Sequence, residues 1–207
     1  MKKLLNYIGQ LRIYSLIDLI LLLIASGATK QEFIGIIFLH IGFLALLESQ
    51  HKHNGREKIP KWLWMPLVIV GAGFYQHLLE AALFLVCSFL YSKKNRYGCG
   101  TLSPFFRGMQ YFALFFGITH SDWLPWIACF VMIIRNSIGD WRDIEKDKRR
   151  GMNTIPMLLG AKKDLRYGHL IAMFVSSTIW WNYTNISVWV LLGVILVEVA
   201  TYNLTPR

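Results

Sequence analysis

The sequence predicts an all-α fold, a polytopic transmembrane helix bundle of about eight spans that forms a single domain over residues 1–207. Three observations predict it. The chain is 55% hydrophobic with a mean hydropathy of +0.41, which is too apolar for a soluble domain. Its apolar residues gather into runs separated by short polar loops. Lysine and arginine fall on alternate loops, as they do in a chain threaded back and forth across a membrane.

The N-terminal stretch sets Lys2, Lys3 and Arg12 against Leu4, Leu5, Ile8 and Leu11, the spacing of an amphipathic helix lying in the interface. It lacks the small-residue cleavage site of a signal peptide. Apolar runs at 13–28 and 33–47 predict the first two spans, and a polar loop at 48–61 ends them. The run at 62–91 is long enough for two short spans joined near residues 73–77. Runs at 102–118, 124–138, 167–181 and 188–202 supply the other four. Several fall short of the roughly 20 residues of a perpendicular span, so their ends are expected to snorkel or the bundle to be tight.

The basic residues assign the sides. One side receives Lys2, Lys3 and Arg12, then Lys52, Arg56, Lys58 and Lys61, then Lys93, Lys94 and Arg96, then the run from Arg142 to Arg166, then Arg207; the other receives Lys30. The expectation is an integral protein of the cell membrane with both termini cytoplasmic. A net charge of +10 then reflects topology and contact with anionic membrane lipids, and nucleic acid is not an expected partner. Cys87, Cys99 and Cys129 follow no disulfide or metal-ligand spacing. Asp18, Glu80, Arg107, Arg135 and Glu198 lie within spans, where a charge costs roughly 2.5–3.5 kcal/mol on insertion scales, so each should face the bundle interior. Asp18 and Glu80 are the expected partners of Arg107.

The most charged stretch of the chain runs from Arg135 to Gly160. If the helix that contains Ile127 continues through it, Asp140, Asp143 and Asp147 stand at i, i+3 and i+7 and share one face. Three such carboxylates repel one another unless a cation lies against them. Hard oxygen donors suit Mg²⁺, which keeps waters and binds through a few carboxylates and substrate phosphates. Arg142, Lys146, Lys148, Arg149 and Arg150 would suit the anion. On charge alone, a solvated loop with Asp and Lys paired at i, i+4 reads the same way.

The order Arg135, Asp140-x-x-Asp143-x-x-x-Asp147, Gly151, Thr154-x-Pro156 and Leu159-Gly160 resembles the second aspartate-rich motif of the UbiA superfamily of intramembrane prenyltransferases. Tyr91-Ser92 with the basic pair Lys93-Lys94 and a turn at Gly98 is similar to that family's central loop. The sequence departs from the family at its first motif, where Glu48, His51 and Gly55 stand in place of three aspartates and Leu47 in place of an asparagine. Asn136 likewise replaces the Glu that usually follows Arg135, and family members usually carry one more span. The resemblance runs from about residue 33 to residue 160.

The resemblance implies a UbiA-like fold and a transferase that moves a prenyl group from a polyprenyl diphosphate to a small aromatic or lipid acceptor, with Mg²⁺-assisted loss of diphosphate. It implies metal binding by Asp140, Asp143, Asp147 and Glu48, with the three aspartates catalytic, and substrate binding by Arg135, Tyr91, Lys94 and Lys146. Phe112, Phe116, Trp126 and Met132 could line the prenyl tunnel or simply pack the bundle. The departure at Glu48 and His51 equally fits a non-catalytic UbiA-like scaffold or lipid-binding protein. Ile138-Gly139-Asp140-Trp141-Arg142 does not fit the motif of CDP-alcohol phosphotransferases. A transporter built on paired broken helices finds an echo only at 62–91.

Overall fold

The structure, a computed structural model, describes residues 6–7, 9–50, 58–94, 99–119, 121–149, 151–165 and 167–202. Among these residues every regular element is a helix: α1 (Ile13–Ala25), α2 (Lys30–Gln50), α3 (Trp64–Tyr75), α4 (Leu78–Ser92), α5 (Ser103–Phe116), α6 (Leu124–Arg142), α7 (Ile144–Arg149), α8 (Ile155–Leu158), α9 (Gly168–Asn182) and α10 (Val188–Tyr202). Eight of them lie on the apolar runs, and the long run at 62–91 is divided at Gln76, whose left-handed φ of 63° ends α3. Residues 2–5 and 8 of the expected interfacial helix lie outside the described residues. Among the described helices α2, with 21 residues, is the one long and apolar enough to cross a membrane by itself. The 15 residues of α4 and of α10 extend about 22 Å, against a hydrocarbon core of about 30 Å.

Chain contacts gather into two compact units, one of Met1–Leu78 with Ser177–Arg207 and one of Leu79–Ser176. In the first, α2 and α3 form a close antiparallel pair. A Cβ on Gly35 would stand 2.5 Å from the Tyr75 backbone nitrogen, so only glycine lets these backbones approach, as small residues do between membrane helices. α1 lies along α10, with the rings of Tyr14 and Tyr202 5.6 Å apart in an edge contact. Asp18, for which Arg107 was the expected partner, accepts a bond from Ser177 Oγ (3.2 Å), and Glu198 is 2.7 Å from the same hydroxyl.

In the second unit α5 packs on α6, and α8 lies against α6. A Cβ on Gly108 would meet the Cys129 carbonyl oxygen at 2.7 Å. Arg107 donates to Gln110 Oε1 at 2.6 Å, and Gln110 donates to Ser88 Oγ at 2.7 Å, a buried polar relay from α5 to α4. Both units bury polar groups while turning large apolar side chains outward: Ser177 and Glu198 are fully buried, yet Trp189 is 77% and Leu79 is 84% exposed. Above an apolar core, so many exposed large apolar side chains are unusual for a protein in water.

Candidate functional site: an aspartate cluster around Lys94

The three aspartates do not lie on one unbroken helix. α6 ends at Arg142, Asp143 takes a turn conformation (φ −111°, ψ 19°), and α7 restarts at Ile144. The cause is a segment about twenty residues further on. In a continuous helix the Glu145 N–H would bond the Trp141 carbonyl. Here Glu145 N–H donates to Asp164 Oδ1 (2.9 Å), and the Trp141 carbonyl accepts from Leu165 N–H (3.1 Å). Each orphaned group therefore finds a partner, as the ends of helices require. The Asp147 N–H reaches the Asp143 carbonyl at 2.8 Å, a bond of the restarted helix.

The far end of α7 closes with a paired cap, Met152 N–H to the Asp147 carbonyl and Gly151 N–H to the Lys148 carbonyl. Gly151 supplies the left-handed φ of 67° that this cap needs. The chain then passes Gly100, where an added Cβ would overlap the Asn153 carbonyl oxygen. This contact sets the turn before α5 directly against the strand of backbone that leads into α8.

Around this frame the charges converge. Asp140, 5% exposed, faces Lys94 Nζ at 3.5 Å through Oδ1 and accepts from Ser103 Oγ at 3.3 Å through Oδ2. Asp143 is held by its neighbour Arg142 through two bonds, Nη2 to Oδ2 at 2.8 Å and Nε to Oδ1 at 3.3 Å. Asp147, 2% exposed, has an Oδ2 atom without a hydrogen-bond partner. Lys94 also sits 5.7 Å from the centre of the Tyr91 ring, and the Tyr91 hydroxyl donates to Asn136 Oδ1 on α6 at 3.1 Å.

These environments separate the three carboxylates. Burial pushes Asp147 up to about 6; Lys94 pulls the other way, while Asp140 and Asp143 add to the rise. Burial also raises Asp140, with Lys94 and Ser103 opposing it. Asp143 is buried as well, but the Arg142 guanidinium, with help from Lys146 and Lys94, holds it well below the usual carboxylate range. Burial disfavours the charged form of Lys94, yet Asp140, Tyr91, Asp147 and Asp143 together raise it above the ordinary lysine value. Lys94 is thus the cation that all three aspartates feel.

Of the residues singled out by sequence, Asp140, Asp143, Asp147, Lys94, Lys146 and Tyr91 are brought together in the second unit. Arg135, 3% exposed, belongs to the same unit and donates to Ser176 Oγ on α9 at 3.1 Å. Glu48 belongs to the first unit, where its carboxylate faces Arg12 Nη2 at 3.3 Å and Gln10 Nε2 at 3.4 Å. His51 and Gly55, the other first-motif positions, and Arg150 lie outside the described residues. Phe112 packs against Phe116 (5.2 Å) and Trp126 (4.5 Å), while Met132 is buried. Sequence reasoning missed Ser103 and Asp164. The Ser103-Pro104 helix start was a readable signal for the first, and Asp164 alone among Lys162, Lys163 and Arg166 for the second.

Among the described residues no three His, Cys, Asp or Glu side chains close on one ion position. The reason is visible in the ion pairs, since Asp140 is turned to Lys94 and Asp143 to Arg142. The donor chemistry nevertheless fits Mg²⁺. All three groups are hard carboxylates, and among the described residues the buried Asp147 Oδ2 atom makes no hydrogen bond. Comparison with protein-family models, with curated proteins and with solved structures finds no match.

Proposed function

We propose that the chain is a UbiA-like intramembrane prenyltransferase, one membrane domain of about eight short spans with both termini cytoplasmic. The single observation that carries this reading is the buried aspartate cluster around Lys94, with an Asp147 oxygen that makes no hydrogen bond among the described residues. The outward apolar side chains and inward polar ones support a lipid surrounding, and the alternation of basic loops supports the topology.

In this reading Asp140, Asp143 and Asp147 would hold Mg²⁺, which would supply the positive charge that a leaving diphosphate needs. Lys94 and Lys146 bind the same diphosphate, and Arg135 fixes the start of the charged stretch by tying α6 to Ser176. Tyr91 holds Asn136 through its hydroxyl and supports Lys94 on its ring face. The apolar helices surround the prenyl chain and keep bulk water from the allylic cation, which an aromatic or lipid acceptor then captures. Glu48, in the first unit, faces Arg12 and Gln10.

That engagement of Glu48 favours a second reading, a non-catalytic scaffold of the same architecture whose first carboxylate has become structural. Binding of radiolabelled geranylgeranyl diphosphate to the purified protein in detergent separates the two. The enzyme reading expects Mg²⁺-dependent retention that is lost in Asp143→Ala. Folded protein without Mg²⁺-dependent retention returns the chain to the scaffold reading.

A further inference from the structure

We propose that the connection between α8 and α9 is an anchor on the cytoplasmic leaflet. Leu158, Leu159 and Tyr167 enter the lipid boundary, Lys162 and Lys163 bind anionic phospholipid headgroups, and the leaflet thereby steadies the break between α6 and α7. This rests on the reading of the chain as a membrane bundle and is independent of any transferase activity. All of these residues belong to the second unit. Leu158 is 68% exposed, Leu159 76% and Tyr167 73%. Large apolar side chains gathered at the surface of a short connection mark a contact surface, and the two lysines between them are exposed as well.

The local structure fixes this arrangement. Thr154 at the start of α8 and Pro156 within it are buried, which seats the helix on the protein. A paired cap then stops it: Ala161 N–H donates to the Pro156 carbonyl (2.9 Å) and Gly160 N–H to the Met157 carbonyl (3.0 Å), with Gly160 at a left-handed φ of 84°. The two leucines therefore stand exposed at the helix end, and the basic pair follows directly after the turn. An occupant of this surface must be apolar against the leucines and anionic against the lysines. A bilayer surface meets both demands, with the tyrosine ring at the level between them. The charges of Lys162, Lys163 and Asp164 in a row exclude a place in the hydrocarbon core. Asp164 accepts from the Glu145 N–H and Leu165 N–H donates to the Trp141 carbonyl, so what fixes this connection also fixes the break beside Asp143.

The test places the photocrosslinker p-benzoylphenylalanine at position 159 of the full chain, in nanodiscs of phosphatidylcholine and phosphatidylglycerol in equal parts, and reads the adducts by mass spectrometry. Lipid adducts are expected, with phosphatidylglycerol favoured at least about twofold over its share, and Lys162→Gln with Lys163→Gln should remove that preference. Absence of lipid adducts, adducts to a second copy of the chain, or adducts with no preference for phosphatidylglycerol overturn the anchor. A preference that survives the double substitution overturns the role of the lysines. The same probe at position 79, where Leu79 is exposed on α4, separates this from the membrane reading. Lipid adducts at 79 but not at 159 overturn the anchor alone, and adducts at neither overturn both. Amide exchange at residues 144–147 should be slower in the mixed discs than in phosphatidylcholine alone, and equal rates overturn the link to the break.

Discussion

Replacing Asp147 by Asn should stabilise the metal-free protein at neutral pH, which is an unusual outcome for a buried residue. Its carboxyl is raised from 3.8 to about 6, first by burial. At about 1.4 kcal/mol for each tenfold in proton affinity, ionising Asp147 costs the fold about 3 kcal/mol. Because the native state holds this proton more tightly than the unfolded chain, the favourable contribution is complete below pH 3.8 and is lost as pH rises through about 6. Asn keeps the shape and removes the charge, but leaves a buried amide that costs on the order of 1 kcal/mol. The net expectation at pH 8 is a gain of about 2 kcal/mol, or several degrees in unfolding temperature at about 2–4 °C per kcal/mol for a chain of this size. At pH 4 the gain should vanish. Unfolding followed by tryptophan fluorescence across pH 4–8, in wild type and variant, measures the difference directly. Mg²⁺ should then raise the wild-type unfolding temperature more than that of the variant. A variant less stable than wild type at pH 8, with the same deficit at pH 4, would refute the idea that burial makes the ionised Asp147 carboxylate costly to the fold.

Other perturbations probe the frame. Gly100→Ala forces a methyl group onto the Asn153 carbonyl oxygen and should cost about 1–3 kcal/mol, measured as a lower unfolding temperature. Asp164→Ala removes the cap on the Glu145 N–H, at about 1 kcal/mol, and hydrogen exchange should quicken at residues 144–147 ahead of the rest of the second unit. Tyr91→Phe deletes the bond to Asn136 while keeping the ring beneath Lys94, so it should cost about 1 kcal/mol in stability and leave Mn²⁺ affinity within about threefold of wild type.

Much of the helical framework is written in the hydropathy. Seven runs became eight helices because each is bounded by a polar loop or a breaker, and the division of the long run 62–91 follows from the Gly-rich stretch that ends at Gln76. The spacing of Asp140, Asp143 and Asp147 likewise pointed to a cluster, although the single helix it assumed ends at Arg142. What sequence could not disclose depends on partners distant in the chain. The break at Asp143 exists because Asp164 and Leu165 take the two backbone groups that would have continued the helix. Ser103 reaches Asp140 across 37 residues. Glu48 meets Arg12 and Gln10 from the segment before α1, partners 36 and 38 residues away that no local spacing announces. Local spacing specifies which groups share a face, and only the fold decides which counter-charge each of them meets.

The central claim is metal-assisted departure of diphosphate, and inorganic diphosphate release from geranylgeranyl diphosphate in lipid nanodiscs tests it most directly. The account predicts Mg²⁺-dependent release above the uncatalysed rate by wild type, abolished in Asp140→Asn and Asp143→Ala variants that still fold. Release that is independent of Mg²⁺, or that persists in both variants, would contradict it.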